Sequence, residues 1–231
     1  MPEKPLGHRA YGHIPHLPNS RLGPGDHKVS SGQARICTEK ARDKHDTIIV
    51  QEKLDGSNVA VARVNNEIIP LGRAGYRAST SRFEQHHFFA KWVYSQLDRF
   101  EWLEEGERII GEWLSQAHGT LYELPHEPFV PFDVMKKQDR SPYGDFIDRI
   151  KQSGFVSPKL LHMGLAFSVE DCLKILEPSG HGAIDSVEGA VWRVERKGKV
   201  DFLAKYVRPG KVDGKYLPEV SGKDAVWHWR P

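Results

Sequence analysis

Hydrophobic patterning begins late in this chain. Residues 1–35 are rich in Pro, Gly, His and Ser and carry little periodicity, which predicts an extended arm packed on the domain that follows. The first firm element is DTIIVQEK, Asp46 to Lys53, whose β-branched run reads as a strand. NVAVARV, Asn58 to Val64, is a second and EIIPLGR a third. LDGS reads as a turn between the first two. Asn65-Asn66 supply the positive φ angles of a tight turn between the second and third, so the segment predicts an antiparallel meander with Lys53 at a strand end. From Phe83 to about Leu103 the spacing becomes helical, with Phe83, His87, Ala90 and Tyr94 on one side, which predicts one long helix or two. Ser168 with Asp171 before CLKIL is a capping-box variant, and Pro178 stops that helix. Strands return in RIIGEWL, FVPFDVM, EGAVWRVE and VDFLAKYV, the last two joined by a turn at Lys197-Gly198. The elements interleave without a βαβ rhythm. That predicts an α+β fold of antiparallel sheets, with residues 36–231 forming one domain.

Composition excludes some classes and leaves others open. No apolar run is long enough to span a bilayer, and the N-terminus lacks the apolar core of a secretory signal, so the expected address is the cytoplasm, with no membrane partner. Cys37 and Cys172 have neither CxxC nor zinc spacing and read as buried or idle thiols. A net charge of +2 is too small to prove nucleic-acid binding, which depends on where positive charge clusters. Arg35, Lys40, Arg42 and Lys44 precede the first strand and fit either a phosphate-tracking or a solvated segment. Among 12 histidines, His8, His13, His16 and His27 sit between Pro and Gly in no metal-ligand spacing and read as loop residues. Gly23-Pro24-Gly25-Asp26-His27-Lys28 imitates a phosphate loop. No Gly directly precedes its lysine, no Ser or Thr follows, and no clear strand enters it, so it reads as a turn-rich loop.

The segment richest in chemistry is Glu52-Lys53-Leu54-Asp55-Gly56-Ser57-Asn58. Alone it is ordinary: Asp-Gly is a common turn dipeptide, and a lysine beside a turn is usually a solvated charge. Further segments change its meaning. KLDGSN, Arg73 in GRAG, Glu112 in IIGEWL, Phe132 in VPFDV, Glu188 in VEGAV and Lys205 in FLAKYV follow one another in the order, and at the strand ends, of motifs I, Ia, III, IIIa, IV and V of a known superfamily. The chain resembles the covalent nucleotidyltransferases, which comprise RNA ligases, DNA ligases and mRNA capping enzymes. Its closest likeness is to the ATP-dependent RNA ligases.

The resemblance implies a nucleotidyltransferase (ligase adenylylation domain, ATP-grasp-like) fold, with two antiparallel sheets flanking a nucleotide cleft and helices at the periphery. It implies that Lys53 attacks the α-phosphate of ATP and that the AMP passes to an RNA 5′-phosphate, which a 3′-hydroxyl then seals. By the same likeness Phe132 stacks on adenine, Glu112 binds ribose, and Arg73 contacts ribose or phosphate. Glu188 holds Mg2+ (or Mn2+), Lys205 meets the α-phosphate, and Asn58 meets the β-phosphate region or the adenylylated end. Asp55 and Gly56 shape the nucleotide-binding loop, and Glu52 meets the base through its backbone. Leu203 stands where motif V often has a first lysine, with Arg208 as the expected substitute phosphate contact. Too few residues follow Lys205 for an OB or helical domain, so a separate repair protein supplying end-healing or RNA binding is a conceivable partner.

Simple chemistry adds one demand. A lysine amine kept neutral at pH 7 costs roughly 4.6 kcal/mol from its usual pKa, so burial and nearby cations are expected to lower that of Lys53. Three other readings stay open: a minimal DNA nick ligase, a GTP-dependent capping enzyme, and a nucleotide- or RNA-binding module without turnover.

Overall fold

In the computed structural model, which describes residues 3–231, the strands are β1 (Asp46–Lys53), β2 (Ser57–Val64), β3 (Glu67–Gly72), β4 (Glu107–Trp113), β5 (Phe129–Lys136), β6 (Asp139–Arg140), β7 (Leu160–Gly164), β8 (Gly189–Arg196) and β9 (Lys199–Val207). They form two sheets, ordered β7-β1-β8-β9 and β3-β2-β4-β5-β6, in which every pairing is antiparallel. The helices are α1 (Ser31–Thr38), α2 (Glu84–Tyr94), α3 (Tyr143–Gln152), α4 (Val169–Ile175) and α5 (Pro218–Ser221). The fold is therefore α+β with two antiparallel sheets. Of the extended arm expected over residues 1–35, residues 1 and 2 lie outside the described residues, and residues 31–35 are not extended but begin α1, started by the Ser30–Gln33 capping box.

Strand alternation assigns each sheet two faces. In the first sheet, Ile48 and Val50 of β1, Trp192 and Val194 of β8, and Ala204 and Tyr206 of β9 face a core closed by Cys37 of α1 and Cys172 of α4. Both cysteines are buried free thiols whose pKa burial pushes up to about 12. In the second sheet, Val59, Val61, Ile109 and Trp113 face a core filled by Phe89, Trp92 and Val93 of α2 and by Phe146 and Ile150 of α3. The remaining faces line the cleft in part; on the second sheet Ala60, Ala62, Ile69, Leu71, Ile110 and Met135 instead pack against Ala10 and Tyr11 of the arm in a third core. The hairpin turns form as expected: Asn65 and Asn66 have φ of 52° and 62°, and Lys197 and Gly198 have 51° and 72°. Ser168 caps α4 by accepting from the Asp171 amide at 3.0 Å.

Two expectations fail. The meander stops short, because β1 pairs with β7 and β8 while β2 pairs with β3 and β4. Residues 54–56 are a crossover between sheets rather than a hairpin turn. Leu54 is buried, and Gly56 runs so close to β4 that an added Cβ would lie 2.6 Å from the Trp113 carbonyl oxygen. Alternation inside a strand reports its faces and says nothing of its neighbour. The helix over Phe83–Leu103 also turns a different side inward: Phe89, Ala90, Trp92 and Val93 are buried, while Phe83 and Tyr94 are exposed. A Ser95 C-cap and a short 3-10 turn, Leu97–Phe100, break the segment after Tyr94.

The sheets join through one buried carboxylate. Asp133 on β5 has no exposed side-chain surface; it accepts from Arg193 on β8 at 2.9 Å and from Tyr11 of the arm at 3.3 Å, and pairs with Arg140 at 2.8 Å. Among the described residues no helix is long and apolar enough to cross a membrane. Asp133→Ala would leave the buried Arg193 guanidinium without its carboxylate. It is expected to cost about 3 to 5 kcal/mol in urea unfolding, most of it recovered when Arg193 is also replaced by Met.

Candidate active site

A cleft of about 730 Å³ lies between the two sheets and collects most of the candidate residues. From the first sheet it receives Gln51 and Lys53 of β1, Val191 and Arg193 of β8, and Leu203 and Lys205 of β9. These are the odd-numbered positions of each strand, whose even-numbered neighbours fill the core. From the second sheet it receives Asn58 and Glu112, direct partners across β2 and β4, together with Phe132. The register of β4 with β5 slips between Ile110 and Gly111, leaving Phe132 as the extra residue of a bulge. A bulge re-aims a side chain. Here the Phe132 ring lies against Tyr11, with centroids 5.3 Å apart in an edge contact, and lines the cleft.

Lys53 is the hub of the cleft's charge. Its Nζ donates to Glu188 Oε2 at 2.6 Å and lies 3.3 Å from the Leu54 carbonyl oxygen. Burial alone would lower its pKa, but Glu188, Glu112 and Asp55 outweigh burial and hold it above the usual lysine value. The expected depression is thus reversed. The cations proposed to cause it are outnumbered by three carboxylates, which favour the ammonium form. Burial raises the pKa of Glu188 despite the nearby Lys53 charge. Burial likewise carries Glu112 to about 7, although Lys53 and a 2.9 Å hydrogen bond from the Gly56 amide oppose it. That hydrogen bond ties the crossover to β4, so Glu112 shapes the Lys53 loop as well as facing the cleft.

The other candidates divide. Asp55 lines the cleft, where it pairs with Lys211 Nζ at 2.6 Å and accepts from the Gly119 amide at 2.8 Å. Arg73 also lines the cleft, and its guanidinium donates to the Gly12 carbonyl at 2.9 Å. Glu52 contributes its strand position only. Its side chain shares the core-facing side of β1 with Ile48 and Val50, where it accepts from Ser179 and from the Gly180 amide. Arg208 is not among the residues lining the cleft. It follows β9 on the side of Tyr206, opposite to Lys205, and pairs with Glu177 at 3.3 Å. Arg42, one of the basic residues before β1, is taken up by Asp46 and Asp201.

Several residues that the sequence reading passed over stand in or beside the cleft. Tyr11, Gly12 and Ile14 of the arm, Arg193, and His118 line it, and Lys211 holds Asp55. Arg193 and Leu203 are register partners, so a cation does sit beside the position expected to hold a lysine, but Asp133 already claims it. Among the described residues no group of three or more His, Cys, Asp or Glu is arranged to hold a metal. Glu188, a buried carboxylate turned toward Lys53, fits a Mg2+ or Mn2+ ion that draws its other ligands from phosphates and water, the usual habit of Mg2+.

Two antiparallel sheets around a cleft of this make-up define the nucleotidyltransferase domain fold of ligases. Residues 46–207 match the RNA ligase family, and the chain belongs to that family. No curated protein matches it. Among solved structures, it is similar to form 1 of an archaeal ATP-dependent RNA ligase, with a TM-score of 0.56 and 19% identity over 86% of this chain and 48% of that one. A variant of the Naegleria gruberi RNA ligase with ATP and Mn gives 0.54 and 16% over 84% of this chain and 60% of that one. A putative ATP-dependent DNA ligase from Aquifex aeolicus gives 0.53 and 17% over 86% and 49%. The chain spans about half to three-fifths of these structures' lengths.

The Glu112 carboxyl generates a pH prediction. Its pKa lies at about 7 in the folded protein against an ordinary 4.5, so between those values the native state holds a proton that the unfolded chain has lost. The stabilisation is complete below the lower value and fades as pH rises through the upper one. Glu112→Gln keeps an acceptor for the Gly56 amide, and in urea melts at several pH values it is expected to remove this fall in stability.

Proposed function

We propose that this protein is an ATP-dependent RNA ligase working through a covalent lysyl-AMP intermediate. The observation that carries the reading is the position of Lys53. Its amine ends a strand inside the cleft, faces Glu188 at 2.6 Å, and shares that cleft with Asn58, Arg73, Glu112, Phe132 and Lys205. Five of the six motifs, spread from residue 53 to residue 205, line one nucleotide-sized space, Glu188 of the sixth meets it through Lys53, and membership of the RNA ligase family supports the same acceptor class.

Glu188, Glu112 and Asp55 favour Lys53 as an ammonium, so the proton on Nζ has to leave before attack. It passes to water once Glu188 gives up its 2.6 Å hold on the ammonium. The nitrogen lone pair then attacks the α-phosphorus. A P–N bond forms, the bond from that phosphorus to the bridging oxygen breaks, and pyrophosphate leaves. Lys205, across the same cleft face, would balance charge on the α-phosphate, and Phe132 would stack on adenine. Glu188 would hold the divalent ion, whose chemistry is to neutralise charge on the triphosphate. In the later steps an RNA 5′-phosphate oxygen attacks the lysyl-AMP phosphorus and releases Lys53. An RNA 3′-hydroxyl then attacks the activated 5′-phosphate, and AMP leaves.

The Aquifex aeolicus structure is that of a putative DNA ligase and is about as similar as the others, which keeps a DNA nick ligase as the second reading. Sealing assays on nicked RNA, hybrid and DNA duplexes, run side by side, separate the two. For the first step, intact-mass measurement after incubation with ATP and Mg2+ or Mn2+ is expected to show the gain of one AMP. Lys53→Ala should abolish it, and Glu188→Ala should slow it on the order of a hundredfold. Absence of any adduct in the unaltered protein would reject the proposal.

A further inference from the structure

The loop that imitates a phosphate loop, residues 23–28, does not reach into the cleft with its lysine. Its Asp26 meets Lys205 instead. The Gly23 amide donates to Asp26 Oδ2 at 3.0 Å, closing a tight turn, and the other carboxylate oxygen lies 3.7 Å from Lys205 Nζ. His16, only 1% exposed, sets its Nε2 3.0 Å from Asp26 Oδ2 and its Nδ1 2.6 Å from Ser20 Oγ. Ser20 Oγ in turn accepts from the Val207 amide at 2.9 Å. The chain of contacts therefore leaves β9 at Val207 and returns to it at Lys205.

The same arm grips the main chain of that lysine. The Lys205 amide donates to the Pro15 carbonyl at 2.9 Å, and the Leu17 amide donates to the Lys205 carbonyl at 2.8 Å. Backbone and side chain of one cleft residue are thus both fixed by residues 15–26. We propose that the N-terminal arm is part of the catalytic apparatus, with Asp26, backed by His16, acting as a positioning residue that aims the Lys205 ammonium into the cleft. This inference rests on the ligase reading for what Lys205 does, and on the geometry alone for what holds it.

A lysine side chain is long and loses substantial rotamer entropy when fixed. The cleft also offers Lys205 an unwanted partner, because Glu188 attracts it as well as Lys53. A carboxylate on the opposite, arm side counters that pull. At 3.7 Å the attraction sets a direction while leaving the ammonium protons free for a phosphate; a contact as short as the Lys53–Glu188 pair would first have to be broken. The need is greater because Leu203, next on the same face of β9, offers no second cation.

Asp26→Asn tests this, since the amide keeps an acceptor oxygen for the Gly23 amide while the charge and the acceptor facing Lys205 are both lost. In rapid-quench adenylylation with labelled ATP, the maximal rate should fall on the order of tenfold, with half-saturating ATP moving less than about twofold. Asp26→Glu should recover part of the rate. In a Lys205→Ala background Asp26→Asn should cost nothing further, whereas a full additional tenfold loss there would mean that Asp26 acts elsewhere and would overturn the inference. A readout free of activity completes the test. On protein reductively methylated with 13C, the Lys205 signal, assigned with Lys205→Arg, should shift in Asp26→Asn while the Lys53 signal holds. An unmoved Lys205 signal rejects the inference whether or not the unaltered protein forms an adduct. A missing adduct with a moved signal rejects the ligase reading and leaves the positioning intact.

Discussion

A carboxylate sealed from solvent, Asp133, is the constraint on which this architecture rests. It belongs to the second sheet, and its partners come from elsewhere: Arg193 from the first sheet, Tyr11 from the arm, and Arg140 from the end of β6. Two sheets with apolar inner faces would close into a sandwich and leave no room for a ligand. These two instead bury most of their apolar residues in helix-covered cores and in a third core under the arm, with Ile49 of the first sheet entering the core of the second, and leave mixed faces lining the cleft. Such faces need a specific polar joint. A buried charge network is costly to assemble from water, but once assembled it tolerates few alternative geometries, and the cleft inherits that definition. The bulge that frees Phe132 is the residue step immediately before Asp133, so the joint and the candidate base platform are set by the same stretch of β5.

The electrostatics of the cleft follow from this separation. Three carboxylates, Glu188, Glu112 and Asp55, surround Lys53, and all are largely withdrawn from water. The cleft stabilises the Lys53 proton. Buried cations without counter-charges would cost more than the paired arrangement does. Lys53 is paired with Glu188, Lys205 with Asp26, and Lys211 with Asp55. Each ammonium in and beside the cleft thus has a carboxylate beside it, close for Lys53 and Lys211 and at 3.7 Å for Lys205.

Much of this was legible in the sequence. Seven strands, both Gly- or Asn-bearing hairpin turns and the Ser168 cap follow from local pattern, whereas β6, β7, α1 and α3 do not, and five of the six ordered motifs point to residues that share the cleft. What stayed hidden depends on partners distant along the chain. LDGS has the composition of a hairpin turn, and only the burial of Leu54 and the fit of Gly56 under Trp113 reveal a crossover. The buried face of α2 differs from the expected one because Phe89, Trp92 and Val93 meet aromatic residues of β4 and β5, a tertiary choice that periodicity alone leaves nearly degenerate. Arg208 seemed a natural stand-in for a missing lysine until strand parity sent it to the far side of β9. The depression expected for Lys53 failed because the motifs name the carboxylates as ligand-binding groups, and nothing in their spacing says how they crowd one amine.

The arm was the least legible part, and the reason is physical. Periodicity detects segments that bury one face against one neighbour. Residues 8–28 touch both sheets in turn, with Ala10 and Tyr11 bonded to Arg73, the Ala10 carbonyl accepting from the buried Arg108, and Leu17 bonded to Lys205. Each short piece answers to a different partner, so no repeat emerges, and the Pro and Gly that keep it from forming a helix or a ladder are what let it change direction. His16 looks like any loop histidine from its neighbours in sequence. It is almost completely buried because its loop runs along the edge of β9, where it meets a strand that would otherwise expose unpaired backbone groups. Covering that edge and aiming Lys205 are one structural act: a segment that hydrogen-bonds to the backbone at residue 205 cannot avoid placing its side chains beside that of Lys205.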